Sequence, residues 1–208
     1  SVAGSAGNAL NVNFNASGGN TIAGTIDNSG GTTALTGATT LSGTIKNGTL
    51  LGSTLNSSSG TLNNVTIGSS LTESGTLNVS TGLTLANGVT VNEGSSTWNF
   101  NTTGALPLAM QGGTGTATIV MAGGQWRAGN GAASQTLQIG SGVTVQGFGT
   151  LTDSTAASIA NGGTITSNTA AQTLTINPTT FSNSGTLNVT AGTMTLSSTN
   201  LANTGTIT

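Results

Sequence analysis

The hexad Ser74-Gly75-Thr76-Leu77-Asn78-Val79 returns far along the chain as Ser184-Gly185-Thr186-Leu187-Asn188-Val189. Within it, Leu and Val alternate with Thr and Asn. A period of two places the aliphatic side chains on one face of an extended strand and the polar ones on the other. Its core, Gly-Thr followed by Leu or Ile, recurs at Gly24-Thr25-Ile26, Gly43-Thr44-Ile45, Gly60-Thr61-Leu62, Gly149-Thr150-Leu151, Gly163-Thr164-Ile165 and Gly205-Thr206-Ile207. Neighbouring copies are spaced by about 18 to 20 residues, too short for a helical repeat of about 33 or more and right for one coil of a solenoid.

Between these copies lie further alternating runs, Leu83-Thr84-Leu85, Val89-Thr90-Val91, Val143-Thr144-Val145 and Leu174-Thr175-Ile176, punctuated by Asn47-Gly48, Asn87-Gly88 and Asn161-Gly162-Gly163. Thr, Val and Ile suit a pleated surface, and Asn and Gly supply the positive φ of tight corners. One unit holds two or three strands of about four residues, too few to bury an apolar face alone. Stacked in register, successive units pair strand on strand and close a narrow interior. The sequence therefore predicts an all-β chain: a single-stranded parallel β-helix of about ten coils of roughly 18–20 residues, about 50 Å long at ~4.8 Å per coil. The alternative is an antiparallel β-sandwich. Residues 1–208 read as one domain. Residues 104–135 lack the hexad and read as a cap, an insertion or modified coils.

Thr (43), Gly (34), Ser (24) and Asn (23) make up 124 of the 208 residues. Such composition is common in disordered chains. Disorder, however, pairs few large aliphatics with high charge, whereas here the net charge is −2 and the aliphatics are placed periodically. With two cations in the chain, binding to a row of phosphates or an anionic membrane surface is not expected. No run approaches the roughly 18 apolar residues of a membrane span, so no membrane insertion is expected. Residues 1–4 lack the charged and apolar regions of a signal peptide. The absence of Cys and His removes disulfides, thiolate metal sites, the thiol nucleophile and the usual neutral-pH base. No cofactor and no catalytic or metal-binding residue is expected.

The hexads, and the run Phe181-Ser182-Asn183-Ser184-Gly185-Thr186-Leu187, resemble the β-solenoid repeats of large bacterial surface proteins, among them autotransporter passengers and filamentous-haemagglutinin-like adhesins. That resemblance implies secretion, a right-handed parallel β-helix and a role in adhesion or matrix. It assigns no catalytic residue.

Four carboxylates, Asp27, Glu73, Glu93 and Asp153, bound what chemistry is open. Glu73 and Glu93, about one coil apart, read either as a stacked carboxylate pair or as two solvated corner residues. Asp27 and Lys46 read as a stacked, exposed ion pair. Thr-x-Thr arrays of the kind that match an ice surface occur about as often as chance allows and at no constant spacing. Trp98 and Phe100 share a strand face, as core or as a sugar-stacking platform. Trp126, beside Arg127, is the second candidate for ligand contact. Phe14, Phe148 and Phe181 read as core. The expected function is a non-catalytic structural protein of the cell surface or extracellular matrix, an adhesin stalk or self-assembling fibre subunit. The alternative is a carbohydrate-binding or tailspike-like module. The expected partner is a second copy, met through end strands at Leu10, Val12, Phe14 and at Thr206, Ile207, Thr208, with surface glycans as further partners and no nucleic acid.

Overall fold

The computed structural model describes residues 2–3, 10–16, 18–102, 104–129, 135–154 and 156–208, with side chains from residue 10 onward. About 70% of the chain is strand, stacked as a parallel β-solenoid of about nine turns. Every strand pairing among the described residues is parallel, which excludes the sandwich.

Each coil has three faces. In an early coil these are the strands Thr32–Leu35, Thr39–Leu41 and Thr44–Lys46. In the next, Thr49–Gly52 lies on the first of them, and the long strand Thr54–Ile67 bends to cover the other two before starting a new coil. Corners inside such long strands use left-handed residues, including Ser59, Asn64, Thr81 and Ala171.

Apolar side chains form columns along the interior. One runs Leu71, Val91, Ile119, Val145, Ile165, Leu187 and Ile207. Another runs Leu77, Trp98, Trp126, Leu151, Ile176 and Leu196. Removing each such side chain from water favours the coil by about 1.5–3 kcal/mol. The outer faces carry hydroxyls in matching rows. Thr90, Thr118, Thr144, Thr164, Thr186 and Thr206 occupy one row through six consecutive coils.

Coil length varies more than the repeat suggests. The early turns are short: Thr32, Thr49 and Thr66 are successive rungs of one column. The middle turns are much longer, with Leu83 lying against Leu108 and Leu106 against Leu137. Part of the excess sits at a corner, where Gln111–Gly113 forms a short, exposed 3-10 turn, and the strands take up more in register shifts such as those between Asn92 and Gly94 and between Ala122 and Gly124. Within residues 104–135, the strands Ala105–Met110 and Ala117–Ala128 pair in register with the coils below and above. The stretch therefore contributes coils of modified length. Residues 130–134 of it lie outside the described set.

Late in the solenoid the interior column Leu83, Leu108, Ile139 gives way to Asn161, Asn183 and Asn203 on the same rungs. Asn161 Nδ2 donates to Asn183 Oδ1, and Asn183 Nδ2 donates to Asn203 Oδ1, each at 2.7 Å. Replacing Asn183 by Ala breaks both bonds and takes from the buried Asn161 amide its Asn183 acceptor, while the exposed Asn203 turns to water. The expected loss is about 1–3 kcal/mol, read as a lower urea midpoint. Hydrogen exchange is expected to quicken in residues 161–205 and to stay unchanged near Leu41.

Candidate functional site

The least ordinary chemistry lies inside the rod. The alternation that sends Leu71 and Val91 inward carries Glu73 and Glu93 inward at the next position of the same parity, in successive coils. Both are essentially unexposed, at 1% and 0%. This corrects the reading of two solvated corner residues. Trp98 and Trp126 are also at 0% exposure, on adjacent rungs of one column. Their rings stack at 5.7 Å with planes 3° apart, and Phe100 lies obliquely against both, at 6.1 and 5.1 Å. Neither indole has a face open to a ligand, so the sugar-platform expectation for Trp98 and Trp126 does not survive.

Each buried indole N–H needs an acceptor, and each buried carboxyl needs a donor. Trp98 Nε1 donates to Glu73 Oε2 at 2.7 Å, and Trp126 Nε1 donates to Glu93 Oε2. Each bond thus ties one coil to the next. The second oxygens, Glu73 Oε1 and Glu93 Oε1, have no hydrogen-bond partner. Burial holds the Glu93 carboxyl well above the usual carboxylate range, opposed by the Trp126 N–H and reinforced by the neighbouring Glu73 charge. Burial also pushes Glu73 up, opposed by the Trp98 N–H.

Elsewhere charge is sparse, and Asp153 Oδ2 is a buried oxygen without a hydrogen-bond partner. Lys46 Nζ lies 3.1 Å from Asp27 Oδ2, stacked as expected, with the two side chains 45% and 26% exposed. Asn47, Lys46 and Ser29 together hold the Asp27 carboxyl below its ordinary value, Asn47 most strongly. The Arg127 Nε donates to Gln125 Oε1 on the outer face. Phe181 is buried as expected, whereas Phe14 is half-buried, and half-buried Phe148 packs over Gly123.

The two end coils differ. Leu10, Val12 and Phe14 are half-buried and pack against the core, and Val12 and Phe14 join Ile22 and Ile26 around a cavity of about 220 Å³. At the other end, Thr206, Ile207 and Thr208 are exposed, with Ile207 at 54% and Leu201 at 50%. Beneath them, Leu187 and Phe181 are buried. Strand Asn200–Asn203 pairs with Thr180–Asn183, and Thr206–Ile207 with Thr186–Leu196.

Two ordered features went unread in the sequence. The amide ladder has a signal there, Asn-x-Gly at Asn161, Asn183 and Asn203. The six-rung Thr row has none, because its members are spaced by coils of unequal length. Among the described residues, no group of three or more His, Cys, Asp or Glu is placed to hold a metal ion. The chain matches no protein-family model, no curated protein and no solved structure.

Proposed function

We propose that the chain is a non-catalytic structural element of a bacterial cell surface or extracellular matrix, a rigid rod serving as an adhesin stalk or as a subunit of a self-assembling fibre. The observation that carries this reading is the regular stacking of charge-poor coils, with every described strand pairing parallel, apolar columns inside and neutral Thr rows outside. Leu201 and Ile207 lie half exposed on the same columns that bury Phe181 and Leu187 one rung below. The Asn203 amide prolongs the interior ladder to that rung. A further coil on that rung, whether of the same chain or of a second copy, buries both aliphatics and pairs the strand edges beside it, the usual chemistry of strand addition. A net charge of −2 opposes such contact only weakly. The neutral hydroxyl and amide rows on the outer faces suit a matrix component that meets glycans through polar contacts.

Negative-stain electron microscopy over a range of protein concentrations tests the fibre reading. Rods that lengthen with concentration, and that stay short in the Leu201→Asp/Ile207→Asp variant, are expected. Discrete rods of about 45 Å, nine coils at ~4.8 Å, at every concentration and in both proteins would overturn self-assembly.

A further inference from the structure

The interior carboxyls have no evident structural need to be acids. A Gln or Leu in the same column fits the period equally well, and the chain has only six charged side chains in 208 residues. Two of the six are nonetheless buried in the interior, in consecutive coils. Neither cation of the chain reaches them: Lys46 pairs with Asp27, and Arg127 bonds Gln125 on the outer face.

The surroundings of Glu93 Oε1 show which form of the acid the site fits. Gly124 lies on the next coil, and the position its Cβ would take is crowded by Glu93 Oε1 and by the carbonyl oxygens of Ser96, at 2.8 Å, and Gly94, at 3.2 Å. Glu93 Oε1 and these two carbonyl oxygens thus crowd one side of Gly124, and Glu93 Oε1 has no hydrogen-bond partner there. An ionised oxygen gains nothing at that site to offset its lost hydration. Glu73 Oε1 likewise makes no hydrogen bond, and the Trp98 N–H and the nearby Ser96 and Ser57 hydroxyls only partly oppose the effect of burial on its carboxyl. A buried carboxylate with neither cation nor sufficient donors is costly and takes a proton instead.

We propose that Glu73 and Glu93 form a proton-operated latch. With both carboxyls protonated, the middle coils close around the two indoles. When the protons are lost, those coils part to let the carboxylates reach water.

Because burial raises both acids above their ordinary value near 4.5, the folded rod binds more protons than the unfolded chain above that pH. The stabilisation is complete below the unfolded value and is lost as pH climbs through the folded values. The groups facing the pair come from four segments. Strand Leu71–Leu85 supplies Glu73 itself, strand Thr90–Gly94 supplies Glu93, and Thr97–Phe100 and Ala117–Ala128 supply the two uncharged indoles. Ser57, Ser96 and Gly124 complete the wall and do not titrate. With no His, Cys or Tyr in the chain, few other side chains are able to imitate the effect.

The test is thermal unfolding of the whole chain between about pH 4 and pH 10, with near-ultraviolet circular dichroism to follow the stacked indoles. Glu73→Gln, Glu93→Gln and the double variant are measured alongside. Gln keeps an acceptor for the indole N–H. In the wild type, the melting temperature is expected to fall with rising pH by roughly 3–6 °C per pH unit while one carboxyl is being carried to its folded value. The indole couplet is expected to fade over the same range. Each single variant is expected to show a shallower fall, and the double variant a flat profile. A flat wild-type profile overturns the latch. So does a double variant, or either single variant should the double fail to fold, that falls as steeply as the wild type. Stabilisation by added Ca²⁺ at about pH 8 that Glu93→Gln abolishes would also overturn it, since a cation would then be the natural occupant.

Discussion

Trp126→Ala is expected to lower stability by about 3–5 kcal/mol from lost burial and the cavity left behind, the largest single-residue effect in this rod. The indole is fully buried, stacks on Trp98, leans on Phe100 and donates to Glu93. Its neighbours are held by strand pairing above and below, so they have little freedom to collapse into the space. The truncation also leaves both Glu93 oxygens without a donor, a further penalty of about 1–3 kcal/mol. Urea denaturation checks the total. Trp126→Phe helps to separate the two contributions, because it removes the N–H while keeping much, though not all, of the ring packing. Its expected loss is about 1–3 kcal/mol. Equal losses in the two variants would mean that packing contributes little.

Gly147→Val is expected to cost about 2–6 kcal/mol, as strain and overpacking of about 1–3 kcal/mol each combine. Gly147 has φ +118°, a region that side-chain-bearing residues rarely adopt, and it lies on the rung directly over Met121. A Cβ there strikes the Met121 carbonyl oxygen and comes within 2.9 Å of its carbonyl carbon and 3.2 Å of its nitrogen. These are backbone atoms of the adjacent strand, so relief requires strand Val143–Asp153 to lift from Ala117–Ala128. Gly88→Ala is the control: φ there is +78°, but a Cβ meets nothing within 4 Å. Only conformational strain remains, and a loss of about 1 kcal/mol is expected. A Gly147→Val protein melting with the Gly88→Ala protein would show that the rungs at Met121 and Gly147 tolerate separation.

Glu73 and Glu93 are buried, not solvated, and the local signal for this is in the sequence. Leu71 and Glu73 have the same parity, as do Val91 and Glu93, so strict alternation puts each Glu on the inner face. General preference places acids at the surface, and here local periodicity outweighs it. It does so because each acid meets an indole donor that arrives from a later coil. No spacing rule identifies that donor. Trp98 is inward by parity with Phe100, but Trp126 has only Met121 and Ala128 as weak local guides. Its position over Trp98 follows from a coil whose length the repeat does not give.

Alternation, Asn and Gly at corners, and the recurring hexad were sufficient by themselves for the all-β class and the interior of Leu, Ile and Val, and favoured the parallel coil over the antiparallel sandwich. Each is a local pattern that strand geometry converts directly into a face. Only the tertiary structure decided which residues lie one above another. Turns as short as the one from Thr32 to Thr49 and as long as the one from Leu106 to Leu137 stack in one solenoid, with register shifts in several of the paired strands. The six-rung Thr row, the Asn ladder and the coupling of two acids to two stacked indoles all depend on that vertical register. Hydrogen bonding between coils sets it, and no stretch of sequence shorter than a coil records it.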